Sequence, residues 1–222
     1  MSTPAPYTAV VLAGGKAARL GGRAKPQLDV GGRTMLTAVL DAVSDAQARV
    51  VVGPRQPVPD DVVLVREHPP GGGPVAALRA GLGEVSTDVV VLLAGDLPFL
   101  TAELIGWLRG LLTGDGALVV DEGGREQWLL GVWRTEALRT AVGGATGPTS
   151  LRKVLAPLAP ARLHPTVAPG QPPPWLDCDT PADLDRARAA AGTPDAAPPP
   201  RHPPPPPSEP SVWPLFRSPG EG

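Results

Sequence analysis

The feature that most narrows the possible folds is a set of short, apolar, β-branched runs spread along the chain. Ala9-Val10-Val11-Leu12-Ala13, Arg49-Val50-Val51-Val52, Val62-Val63-Leu64-Val65 and Asp88-Val89-Val90-Val91-Leu92-Leu93 show no polar alternation. That is the pattern of buried strands covered on both faces. Stretches with helical spacing separate them. Leu36, Val39, Leu40 and Val43 recur at i, i+3, i+4 and i+7 behind Thr34, a residue suited to capping. Pro74, after Gly71-Gly72-Gly73, suits the first position of a second helix, and Leu104, Leu108 and Leu111 share a face of a third that Thr101 can cap. Such alternation predicts an α/β fold: a single three-layer α/β/α domain with a mostly parallel, Rossmann-like sheet and its ligand at the strand carboxyl ends. The run at 88–93 is expected at the sheet centre. Gln27 to Val30 reads as a further short strand closed by Gly31-Gly32, and 53–60 as a loop.

A chain of 222 residues can hold one domain of this size. The domain is expected over 1–191. From Gly192 onward prolines crowd the sequence, and 192–222 reads as a proline-rich disordered tail. Within it, Val212 to Phe216 is either a docking peptide or a segment without a role. A net charge of −2 gives no basic field for nucleic acid, and no apolar run approaches the roughly 18 residues of a membrane span. The start lacks the basic and apolar regions of a secretory leader, and a single cysteine permits no intrachain disulfide. A cytoplasmic protein with no nucleic-acid and no membrane partner is expected.

The chemistry concentrates where the first run ends. Gly14-Gly15 stops that strand, and the following residues carry Lys16, Arg19, Arg23 and Lys25 around a second pair, Gly21-Gly22. Glycines let backbone amides approach an anion, and the cations neutralise it, so the loop suits a phosphate chain. Neither G-x-x-x-x-G-K-[ST] nor G-x-G-x-x-G describes it. Asp96, just past the central run in Leu93-Ala94-Gly95-Asp96-Leu97-Pro98, falls on the same sheet edge. A carboxylate facing a phosphate loop can hold Mg²⁺, or can simply close the turn. Near the end of the domain, Asp177 and Asp179 alternate on an expected short strand and share a face, leaving Cys178 for the core. Thr180, Pro181 and Asp183 then resemble a capping box. The histidines form no zinc pattern, and no G-x-S-x-G elbow occurs.

Leu12-Ala13-Gly14-Gly15, Arg19-Leu20-Gly21 and Lys25 together resemble the signature of molybdenum cofactor guanylyltransferases, a branch of the Rossmann-like nucleotidyltransferases. Asp96-Leu97-Pro98-Phe99-Leu100, Glu126 to Arg134, Thr149-Ser150-Leu151-Arg152 and Asp177 to Pro181 resemble further elements of that family, in order. The resemblance implies transfer of GMP from GTP to the phosphate of molybdopterin, with Mg²⁺ as cofactor and pyrophosphate as product. It implies Leu12, Ala13, Gly14, Gly15, Arg19, Lys25 and His68 around the nucleotide. Lys25, Asp96 and Arg19 would be catalytic, and Asp96 and Asp179 the metal ligands. Protein partners would be molybdoenzymes or other cofactor-biosynthesis proteins. Trp128 or Trp133 either stacks on a pterin or base or, as large aromatics on a strand commonly do, belongs to the core. The chain departs from the family at His68, usually Asp, at Gly53, often Asn, and at Trp128, usually Pro. Two other readings stay open: transfer from CTP, or to a sugar or alcohol phosphate, and a non-catalytic nucleotide-binding scaffold.

Overall fold

The computed structural model describes residues 5–14, 24–145, 147 and 149–192. The valine-rich runs form its sheet: β1 (Tyr7–Leu12), β4 (Ala48–Val52), β5 (Val62–Val65) and β6 (Val89–Ala94). With β7 (Gly116–Val120), β8 (Glu126–Arg134) and β9 (Ala161–Leu163) they give seven strands in the order β5-β4-β1-β6-β8-β7-β9. Every pairing is parallel except those of β8, which runs against β6 and β7. The sheet is mostly parallel, with β6 at its centre.

Strand residues alternate between two cores. Val11, Val51, Val91 and Leu93 pack with α1 (Met35–Ala42) and α3 (Ala102–Gly110) through Leu36, Val39, Leu104 and Leu108. On the opposite face Val10, Val50, Val90 and Leu92 meet α2 (Gly73–Leu82), α4 (Thr135–Gly143) and α5 (Leu151–Leu155). Both faces are thus covered by helices, which is why the strands carry no polar side. Thr34 and Thr101 cap α1 and α3 through bonds from the Thr37 and Leu104 amides. The helix α2 starts at Gly73, one residue before Pro74.

Two expectations are corrected. Lys25–Gln27 is a 3-10 turn, and only Asp29–Val30 (β2) is strand; it pairs with Arg33–Thr34 (β3) in a hairpin outside the main sheet. Gly31 and Gly32, at φ 64° and 82°, make the tight turn that folds the chain back on itself. Asp177 and Asp179 lie on no strand, because nothing pairs with that segment. The hairpin and α6 (Pro181–Ala191) enclose a third, smaller core of Leu28, Val30, Met35, Cys178, Leu184 and Ala187. Of the expected tail, residues 193–222 lie outside the described residues, and no described helix is long and apolar enough to cross a membrane.

Candidate active site

Sheet topology decides where a ligand can sit. From β1 the chain goes to β4 on one side, while β6 lies on the other, so the direction of winding reverses between β1 and β6. The crevice beyond their carboxyl ends is the binding place of an open α/β sheet. Both halves of the expected constellation end there: Leu12, Ala13 and Gly14 leave β1, and Asp96 leaves β6. The two loops are stitched together, with the Gly95 N–H donating to the Leu12 carbonyl (3.0 Å) and the Ala13 N–H to that of Val52 (2.8 Å). Leu12 and Ala13 are buried, so they shape the loop with backbone, whereas Gly14 is exposed. Gly15 and Arg19 lie outside the described residues.

The same crowding explains Gly53. A Cβ there would stand 2.9 Å from the Ala13 carbonyl oxygen and 3.0 Å from Gln56 Nε2. An asparagine at this position would require the phosphate-loop backbone to shift, so the glycine belongs to this chain's own packing.

Lys25 reaches the crevice from the 3-10 turn. Gln27 anchors that turn by donating to the side-chain oxygen of Gln56 (3.1 Å), and Met35 N–H donates to Leu28 O (3.1 Å). The Lys25 ammonium pairs with Asp96 and, at 2.6 Å, with Asp179 Oδ1. Asp179 immediately precedes the N-cap of α6. Thr180 and Asp183 form the expected capping box, Asp183 accepting from the Thr180 N–H at 2.7 Å and Thr180 from the Asp183 N–H at 3.2 Å. Asp177 sits beside the group, and Cys178 is fully buried in the third core.

The charges act on one another. Burial works against the Lys25 ammonium, but the Asp96 charge and the hydrogen bond to Asp179 outweigh it and hold the pKa above the ordinary lysine value. Burial, then the charges of Asp179 and Asp96, push the Asp177 carboxyl up, with Lys25 and Arg125 opposing. Burial lifts the Cys178 thiol to about 11, which leaves it protonated and inert near neutrality.

Two carboxylates meeting on a single cation are a donor set for a hard ion such as Mg²⁺, which binds one or two carboxylates and completes its shell with phosphate and water. Among the described residues, no group of three or more His, Cys, Asp or Glu side chains is placed to hold a metal ion. Further oxygens would come from water or from a bound phosphate.

From Asp96, Asp177 and Asp179 a cavity of about 860 Å³ opens under β6, β8 and β9. Its far wall carries Arg125, Arg152, Arg162 and His164, with Trp128 and Trp175 as aromatic surface. Arg162 is occupied by Glu126, donating from Nε (3.0 Å) and Nη2 (2.7 Å) to one carboxylate oxygen. Among the described residues, Arg125 and Arg152 have no carboxylate within ion-pair distance. Trp133 is fully buried and stacks behind Trp128, ring centroids 6.3 Å apart, so of the two only Trp128 can face a ligand. Arg125, Arg162, His164 and Trp175 escaped the sequence reading. They come from the β7–β8 turn, β9 and the segment before α6, and no common spacing links them. His68 lies exposed beyond the end of β5 and does not line this cavity.

A sequence profile described as "MobA-like NTP transferase domain" matches residues 9–165. A "Molybdenum cofactor guanylyltransferase" of Pseudomonas putida is 33% identical over 160 residues, 68% of this chain and 82% of that protein. Among solved structures, the molybdopterin-guanine dinucleotide biosynthesis protein A of Archaeoglobus fulgidus superposes with a TM-score of 0.61 at 19% identity, over 82% of this chain and 97% of that one. The 2-C-methyl-D-erythritol 4-phosphate cytidylyltransferase of Thermus thermophilus gives 0.62 at 21% identity, over 84% and 98%. At such identities the two structures speak for the fold alone.

Proposed function

Because the chain belongs to the MobA-like NTP transferase domain family, and is therefore a nucleotidyltransferase, we propose that it transfers GMP from GTP to the terminal phosphate of a molybdopterin-type acceptor, with Mg²⁺. The observation that carries this reading is the cluster of Lys25, Asp96 and Asp179 at the switch point, joined to a cavity large enough for a pterin. The family likeness supports the guanine nucleotide and the pterin acceptor. The cavity's half-buried Trp128, with Arg125 and Arg152 free of carboxylate partners among the described residues, suits an aromatic ring system that carries a phosphate.

In this reading the triphosphate lies over the backbone amides of Gly14 and Gly15, with Arg19 and Lys25 neutralising it and His68 near the base or ribose. The acceptor enters from the cavity. An oxygen of its phosphate attacks the α-phosphorus in line; a new P–O bond forms, the bond to the bridging oxygen breaks, and its electron pair leaves with pyrophosphate. Asp96 and Asp179 hold the divalent cation, which supplies charge neutralisation to the phosphate oxygens. Lys25 meets the charge that grows on the leaving group. No side-chain nucleophile is needed, since phosphoryl chemistry of this kind is mostly positioning and electrostatics.

A thermal-shift panel tests the assignment. Ligand at about 100 times its dissociation constant stabilises the native state by about 2.7 kcal/mol. GTP with Mg²⁺ is expected to raise the melting temperature more than CTP, ATP or UTP at equal concentration. Preference for CTP would move the chain to the cytidylyl branch, and no response to any nucleotide would favour a non-catalytic scaffold.

A further inference from the structure

The position where a metal would sit is taken by a side chain. Lys25 Nζ contacts Asp96, and it contacts Asp179 Oδ1 at 2.6 Å, so one ammonium serves both carboxylates that the proposed function gives to the cation. We propose that Lys25 is the resident counter-ion of this pair, that Asp179 positions it there, and that the divalent cation binds only after nucleotide phosphates have drawn the ammonium away. The inference rests on the metal assignment made above.

Three observations support the exchange. The Asp96 side chain is only 17% exposed, so without Lys25 it would be a poorly solvated charge facing a second carboxylate. Lys25 is itself only 19% exposed, and its ammonium is bound by groups of this site rather than extended into water. The protein alone also offers too few donors: among the described residues no larger set of acidic, histidine or cysteine ligands can hold a metal ion.

Charge counting gives the order of events. The two carboxylates and Lys25 sum to one negative charge. A divalent cation added to that group would face the ammonium across the same oxygens, like charge against like. Magnesium requires oxygen contacts of about 2.0–2.1 Å, which a carboxylate cannot give while it also binds an ammonium on the same side. A triphosphate changes the balance, because its oxygens give Lys25 a second anionic partner and supply the ligands the protein lacks. Lys25 then acts twice, first offsetting the charge of the carboxylate pair and then binding the phosphates. Asp179 immediately precedes the Thr180 cap of α6 and bonds the ammonium from an exposed position.

The test uses the full chain and Mn²⁺ as the probe, with free Mn²⁺ read by electron paramagnetic resonance in the absence of nucleotide. Wild type is expected to bind weakly. Lys25→Met exposes the carboxylate pair and is expected to bind Mn²⁺ at least tenfold more tightly, with a rise in melting temperature on adding Mn²⁺ that wild type lacks. Lys25→Arg keeps the charge and should show no gain, and Lys25→Met combined with Asp96→Asn should lose it. Lys25→Gln is the fallback if the methionine variant does not fold. Equal affinity in wild type and the neutral variants would overturn the exchange, as would a gain that survives Asp96→Asn. In either case the nucleotide thermal-shift panel still judges the guanylyl reading on its own.

Discussion

Two charged clusters sit at opposite edges of the same sheet, and they are built on opposite rules. At the amino edge, where β1 begins, the buried Tyr7 hydroxyl donates to Asp45, and the Arg109 guanidinium bonds Asp45 Oδ2 (3.1 Å) and the Ala5 carbonyl (2.9 Å) while lying 4.3 Å over the Tyr7 ring. One acid meets one base, and the donors are shared out between side chain and backbone. The cluster ties the last turn of α3 to β1. At the carboxyl edge one ammonium serves Asp96 and Asp179, Asp177 adds a further carboxyl, and the group opens on a cavity. A balanced cluster is a clamp. An unbalanced one leaves net negative charge at the mouth of a cavity.

The comparison breaks first at Asp96. Asp96→Asn keeps the shape but halves the anionic pair, and turnover is expected to fall on the order of a hundredfold, the scale for losing a preorganised electrostatic element. Folding should hardly suffer, because Lys25 keeps Asp179. Steady-state kinetics beside a circular-dichroism melt check both, and near-normal turnover would take Asp96 out of the site.

Arg109→Met is the converse test. It removes charge-assisted bonds and a cation–π contact at a partly exposed site, about 2 kcal/mol together. The melting temperature is expected to fall by about 4–8 °C for a chain of this length, with turnover per folded molecule unchanged. A loss of rate at full folding would mean that the two edges are coupled.

The smallest effect lies in pH. Burial first, then the bond to Asp45 and its charge, raise the Tyr7 pKa above the ordinary value near 10, with Arg109 opposing. The protonated tyrosine is thus favoured in the fold. Its contribution is fully present below about pH 10 and is lost as pH rises beyond, when the unfolded chain gives up the proton first. Urea melts between pH 8 and 11 should show a decline that Tyr7→Phe makes shallower. An unchanged slope would remove the hydroxyl from the clamp.

Local signals told a good deal. Thr34, Thr101 and the Thr180–Asp183 pair cap the helices the spacing predicted, because a cap depends on residues within one turn of each other. The Val/Leu runs announced a sheet covered on both faces, and the position of Asp96 past the longest run put it at the centre of the ligand edge. Those inferences needed only neighbours in sequence.

What failed depended on partners far along the chain. Gln27 to Val30 looks like one short strand, yet Lys25–Gln27 is a 3-10 turn and the glycine turn at Gly31-Gly32 pairs only Asp29–Val30, in a hairpin outside the main sheet that α6 helps cover. Trp128 and Trp133 should face opposite sides of a regular strand, being an odd number of residues apart. Instead β7 pairs Leu118 with Gly131 and then Val119 with Gln127, leaving 128–130 without β7 partners, and the irregularity brings both rings to one side. Arg125 and Arg162 belong to no motif, since antiparallel β8 and parallel β9 bring them to one cavity only once the sheet is complete. The chain's order thus dictated the layers and the caps, both set by backbone preference and burial within a few residues. Only the assembled sheet decided that Lys25 meets Asp96 and Asp179 at one point, because ion pairs across 71 and 154 residues are made by packing and by no local rule.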